Sequence, residues 1–148
     1  MTPLTIDTTV SSLSNAELGE KLHFLSYTFC VNADFSKTEA TAKLIDDLEV
    51  CMMEGLLRIL EVKFGYKPFQ NRIYEKVEKT FKNQDVYNIN RMMSSLRRTK
   101  LVPLDAENDK YINWMSNRVK YGVKSVIDHL NTLSTNEAVA LENEYESA

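Results

Sequence analysis

The sequence predicts an all-α protein, a helical bundle of about five main helices with a flexible N-terminal arm and a short acidic C-terminal segment. Three observations carry that expectation. The 148 residues include only four glycines and three prolines, too little material for the many turns of a β protein. Apolar residues recur at three- and four-residue spacings, the period of a helix with one buried face. Serine or aspartate stands where several of those stripes begin, and helix starts need such a side chain to accept from unpaired backbone N–H groups. With 43% hydrophobic and 26% charged residues, the balance is that of a globular chain, which argues against disorder.

Residues 1–13 are rich in Thr and Ser and are expected to form the flexible arm. Ser14-Asn15-Ala16-Glu17 reads as a capping box, in which Ser and Glu each satisfy one orphan backbone donor. Leu18, Leu22, Leu25 and Phe29 make the apolar face of the helix that follows. A second box, Ser36-Lys37-Thr38-Glu39, opens a long helix that Gly65 is placed to stop. A third helix is expected from Pro68, where a missing N–H costs nothing, with Phe69, Ile73, Val77 and Phe81 on its face. Asp85 is expected to cap a fourth, whose stripe is Val86, Ile89, Met93 and Leu96. Pro103 interrupts the pattern, and Asp105 is expected to cap a fifth helix reaching about Leu133. The bundle domain is thus 14–133, and 134–148 is an acidic tail with a short amphipathic piece at Ala138, Leu141 and Tyr145.

Two helices are more informative than the others. From Val50 to Phe64 the second is apolar on most sides, with Glu54, Arg58 and Glu61 on one narrow stripe, so it should be the surrounded, central helix. The fifth has two stripes. Ile112, Met115, Val119, Val123, Val126 and Leu130 make an ordinary core face. Tyr111, Trp114, Arg118 and Tyr121 form an aromatic stripe beside it, and Gly122 falls between the two, where another backbone could approach closely. Trp, Tyr and Arg are the residues that dominate interface hot spots. The alternative for the same stripe is a second packed core face.

Charge is distributed unevenly. Residues 1–57 carry a net of −6, residues 58–100 a net of +7 and residues 134–148 a net of −4. The basic middle, including Arg72, Lys76, Lys79, Arg91, Arg97, Arg98 and Lys100, either complements the acidic first half or offers a surface to nucleic acid or an acidic partner. One form of the nucleic-acid alternative is a helix-turn-helix spanning Ile73 to Val102, although its turn, Lys82 to Asp85, lacks a glycine.

Several classes are excluded or disfavoured. The first residues have no basic start followed by an apolar run, and no stretch reaches about 18 apolar residues, so neither a secretory signal nor a membrane span is expected. Cys30 and Cys51 should sit more than about 10 Å apart, too far for a disulfide, which points to reduced thiols and the cytoplasm. Glu20-Lys21-Leu22-His23 has the E-x-x-H spacing of di-iron bundles, but His129 has Val126 three residues before it, so no metal or cofactor is expected. The scattered glycines form no phosphate loop. Helical-bundle ribonucleases of the HEPN type share only the helix count, because Arg118 and His129 stand about 16 Å apart along one helix.

The expected function is non-enzymatic: a regulatory, adaptor or inhibitor protein that binds another protein through a basic and aromatic helical surface. Homodimerisation through Tyr111, Trp114, Arg118, Tyr121 and Gly122 is expected with it. Nucleic-acid binding through residues 58–100 is the alternative, and a helical-bundle enzyme is the third.

Overall fold

The computed structural model describes residues 8–32, 38–68, 72–101 and 109–146. They form helices α1 (Thr8–Ser11), α2 (Asn15–Tyr27), α3 (Thr38–Phe64), α4 (Ile73–Thr80), α5 (Asn83–Leu101) and α6 (Asp109–Glu146). A π-helical turn, Thr28–Asn32, continues α2, and no strand occurs among the described residues. The protein is therefore an all-α bundle with five main helices.

The capping box at Ser14 forms as the spacing predicts. Ser14 Oγ accepts from the Glu17 N–H at 3.1 Å, and Glu17 Oε1 accepts from the Ser14 N–H at 3.0 Å. Leu18, Leu22, Leu25 and Phe29 are buried, so the apolar face continues through the π turn. At the other end of α3, Gly65 has a φ of +73°, the left-handed conformation that closes a helix without Cβ strain, and its N–H donates to the Glu61 carbonyl. Not every boundary falls where the sequence puts it. α4 begins at Ile73 and not at Pro68, and Asp85 lies within the first turn of α5. There its carboxylate accepts from the Ser125 hydroxyl at 3.1 Å. The box at Ser36 and the cap at Asp105 lie outside the described residues.

From Val50 to Leu60 α3 is surrounded as expected, while Glu61, Val62 and Lys63 are exposed. It packs against α1, α2, α4, α5 and α6, and buries Ile45, Leu48, Cys51, Met52, Leu56, Ile59 and Leu60. α6 is its equal, packing along α2, α3 and α5 through Met115, Val119, Val123, Val126, Leu130 and Leu133. The expected helix end near Leu133 is absent. α6 runs 38 residues to Glu146, because Ser134-Thr135-Asn136 contains neither the glycine nor the proline that would stop it.

The arm also ends earlier than expected. Residues 8–11 form a helical turn, Val10 is buried, and Arg58 of α3 holds the segment. Its guanidinium donates to the Val10 carbonyl at 3.0 Å, the Ser11 carbonyl at 3.3 Å and Asn15 Oδ1 at 3.0 Å. It also pairs with Glu54 at 3.0 Å, with side chains only 15% and 17% exposed. Water screens such a pair poorly, and its removal would leave Glu54 as a largely buried, uncompensated charge.

Two stability effects are expected. Arg58→Ala should lower unfolding free energy by about 2–4 kcal/mol in urea titration and speed proteolysis ahead of Asn15. Gly122→Ala in an open helix would stabilise by about 1 kcal/mol. Here a Cβ would stand 2.5 Å from Met92 Sδ and 2.6 Å from Met92 Cβ, so the same change should instead destabilise by about 1–3 kcal/mol in thermal or urea unfolding.

Candidate functional site

α5 and α6 lie antiparallel. Asn88 faces Ser125 (3.4 Å), while Met92, one turn on, fills the space beside Gly122, one turn back. This register places the i, i+4 pair Tyr87/Arg91 of α5 alongside Trp114, Arg118 and Tyr121 of α6. The five side chains, with Asn88 and Asn117, line one open cavity of about 200 Å³.

Both arginines are stacked. The Arg91 guanidinium lies 4.4 Å from the Tyr87 ring centroid, and that of Arg118 lies 4.0 Å from the Trp114 ring. Neither has a carboxylate partner among the described residues. Burial first, and then the positive charge of Arg91, lower the Arg118 proton affinity, with Tyr87 acting in the opposite direction. The groove therefore holds two like charges that destabilise one another. Trp114 and Arg118 are half-buried, and Tyr87 and Tyr121 are each 50% exposed, so the rings wall the groove without closing it.

The sequence anticipated part of this arrangement. Trp114, Arg118 and Tyr121 do share a face, and the Tyr111 side chain lies outside the described residues. Gly122 has another role than the one expected. It is buried against Met92 of the same chain, so α5, and not a second molecule, makes the close approach that its missing Cβ permits. The expectation of a dimer through this stripe loses that support. What the sequence missed is the contribution of Tyr87 and Arg91. Their four-residue spacing was visible, but only the α5–α6 register shows that they meet the stripe.

The other basic residues of the 58–100 segment whose side chains are described do not line this cavity. Arg97 stacks 4.7 Å over the Tyr74 ring of α4 and donates to its hydroxyl. Arg97 is thereby turned back onto the partner helix of the supposed helix-turn-helix. Lys76 lies over Phe64 at 4.6 Å, and Lys79 pairs with Glu75 at 3.6 Å. Arg72 and Arg98 are exposed, and the Lys100 side chain lies outside the described residues. The ion pairs Lys43–Asp47, Arg58–Glu54, Lys67–Glu61, Lys79–Glu75 and Lys124–Asp128 all join residues close in sequence. Of these pairs, Arg58–Glu54, one turn apart on α3, joins the basic middle to the acidic first half.

A second groove, of about 450 Å³, runs between α2 with its π turn and α6, where Tyr27, Val31, Val123 and Ile127 line it beside Cys30. Neither Cys30 nor Cys51 is in a disulfide. The Cys30 thiol donates to the Ser116 carbonyl at 3.3 Å, and burial pushes its pKa up against the smaller effects of Ser26, Lys120 and Ser116. It is poorly disposed to act as a nucleophile. His129 donates from Nδ1 to the Ser125 carbonyl (2.8 Å), and its ring packs 4.2 Å from that of Phe81, away from Arg118. Among the described residues no group of three or more His, Cys, Asp or Glu could hold a metal ion, and no helix is long and apolar enough to cross a membrane. No protein-family model, curated protein or solved structure matches the chain.

The raised Cys30 pKa has a measurable consequence. At mildly alkaline pH its alkylation by iodoacetamide, followed by mass spectrometry, should be markedly slower than that of an unhindered cysteine, and should accelerate on unfolding.

Proposed function

We propose that the protein acts by binding, without catalysis of its own, and that the α5–α6 groove docks an acidic segment of another protein. The observation that carries this reading is the pair of stacked guanidiniums, Arg91 and Arg118, sharing one cavity without a described carboxylate. A pair of like charges gains most from an anionic partner, and aromatic rings beside them supply apolar contact area at low entropic cost. The cavity, at about 200 Å³, is smaller than the usual small-molecule pocket and suits a single side chain of a docked segment. Such a surface supports a regulatory, adaptor or inhibitor role, and two cysteines outside any disulfide support the cytoplasm.

Nucleic acid is the second reading, because arginine beside exposed rings also suits bases and phosphates. Against it stands the dispersal of the remaining cations. Arg97, Lys76 and Lys79 are engaged with Tyr74, Phe64 and Glu75, so among the described residues these three cations do not extend the groove into a track for a sugar–phosphate backbone.

Trp114 is the only tryptophan, so its fluorescence reports this groove directly. A glutamate-rich peptide should give a saturable change that weakens roughly tenfold or more in Arg91→Ala or Arg118→Ala, the loss expected for a charge-assisted hydrogen bond. If a single-stranded oligonucleotide of equal length binds more tightly, with a steep salt dependence, the nucleic-acid reading replaces this one.

A further inference from the structure

We infer that the anion selected by the α5–α6 groove is a phosphomonoester, carried on a side chain of the partner protein and held jointly by Arg91 and Arg118. This rests on the acidic-partner reading of the same groove and specifies its ligand.

Stacking occupies the face of a guanidinium and leaves its edge, with five N–H donors, free to bond. In Arg91 the face is taken by Tyr87, and in Arg118 by Trp114. Among the described residues no acceptor meets either edge. Two forks lining one cavity call for a ligand with enough oxygens to accept from both and enough charge to neutralise both. A carboxylate brings two oxygens and one negative charge. A phosphodiester also brings one charge. A phosphomonoester brings three oxygens and a charge of about −1.5 to −2 near neutral pH. The size of the cavity admits one such side chain, and the flanking rings Trp114, Tyr87 and Tyr121 favour an aromatic stem, as in phosphotyrosine.

The test uses the full chain, Trp114 fluorescence and three small probes: phenyl phosphate, methyl phenyl phosphate and benzoate. Phenyl phosphate should bind at least about tenfold more tightly than the diester or the carboxylate. Its affinity should fall between about pH 7.5 and pH 5, as the second phosphate proton returns near about pH 6 while both arginines stay charged. Arg91→Ala or Arg118→Ala, with unchanged far-UV circular dichroism, should abolish that preference. Arg91→Lys or Arg118→Lys should restore it only in part, because an ammonium keeps the charge but not the fork. Equal binding of the three probes, or no pH dependence, overturns the inference. If the glutamate-rich peptide still binds while phenyl phosphate does not, the phosphate assignment fails and the acidic-partner reading stands. If neither binds, both fail.

Discussion

The groove exists because Gly122 has no side chain. Met92 of α5 fills the space where a Cβ would be, so the two helices meet closely at that level. The same contact fixes their register. With Met92 set against Gly122, Tyr87 and Arg91 come alongside Trp114, Arg118 and Tyr121. A larger residue at 122 would separate the helices or displace Met92, and the five side chains would no longer share one cavity. The close α5–α6 packing and the candidate site therefore share one steric constraint.

Four arginines, Arg58, Arg91, Arg97 and Arg118, show three different fates in this fold. Arg58 is enclosed, and Glu54, Asn15 and two carbonyls of the N-terminal segment take up its donors. It serves the structure. Arg97 is stacked on Tyr74 and bonded to its hydroxyl, so it fastens α4 to α5. Arg91 and Arg118 are held by their faces alone, which fixes their position while leaving their hydrogen-bonding edges unspent. This difference in local accounting, and not the overall basicity of residues 58–100, distinguishes the pair proposed to bind an anion from arginines whose donors are already engaged.

Preorganisation follows from the same geometry. Free arginine side chains lose considerable rotamer entropy when they grip a ligand. Stacking on Tyr87 and Trp114 has already imposed part of that loss during folding. The half-buried Trp114 ring also keeps water from one side of the Arg118 charge, which strengthens any interaction made there.

The sequence by itself determined the helical class, the main apolar faces, the first capping box and the Gly65 stop. Each depends on residues within a few turns of one another, where spacing and backbone conformation suffice. It also placed Trp114, Arg118 and Tyr121 on one face. Only the tertiary structure decided what surrounds that face. The docking of residues 8–11 depends on Arg58, almost fifty positions away, and the role of Gly122 depends on Met92 of a different helix. The joining of Arg91 to the aromatic stripe is likewise a matter of helix register. Periodicity says which way a side chain points from its own axis. It does not say how far along a neighbouring helix that side chain will lie, because the offset is set by the interlocking of side chains such as Met92 and Gly122.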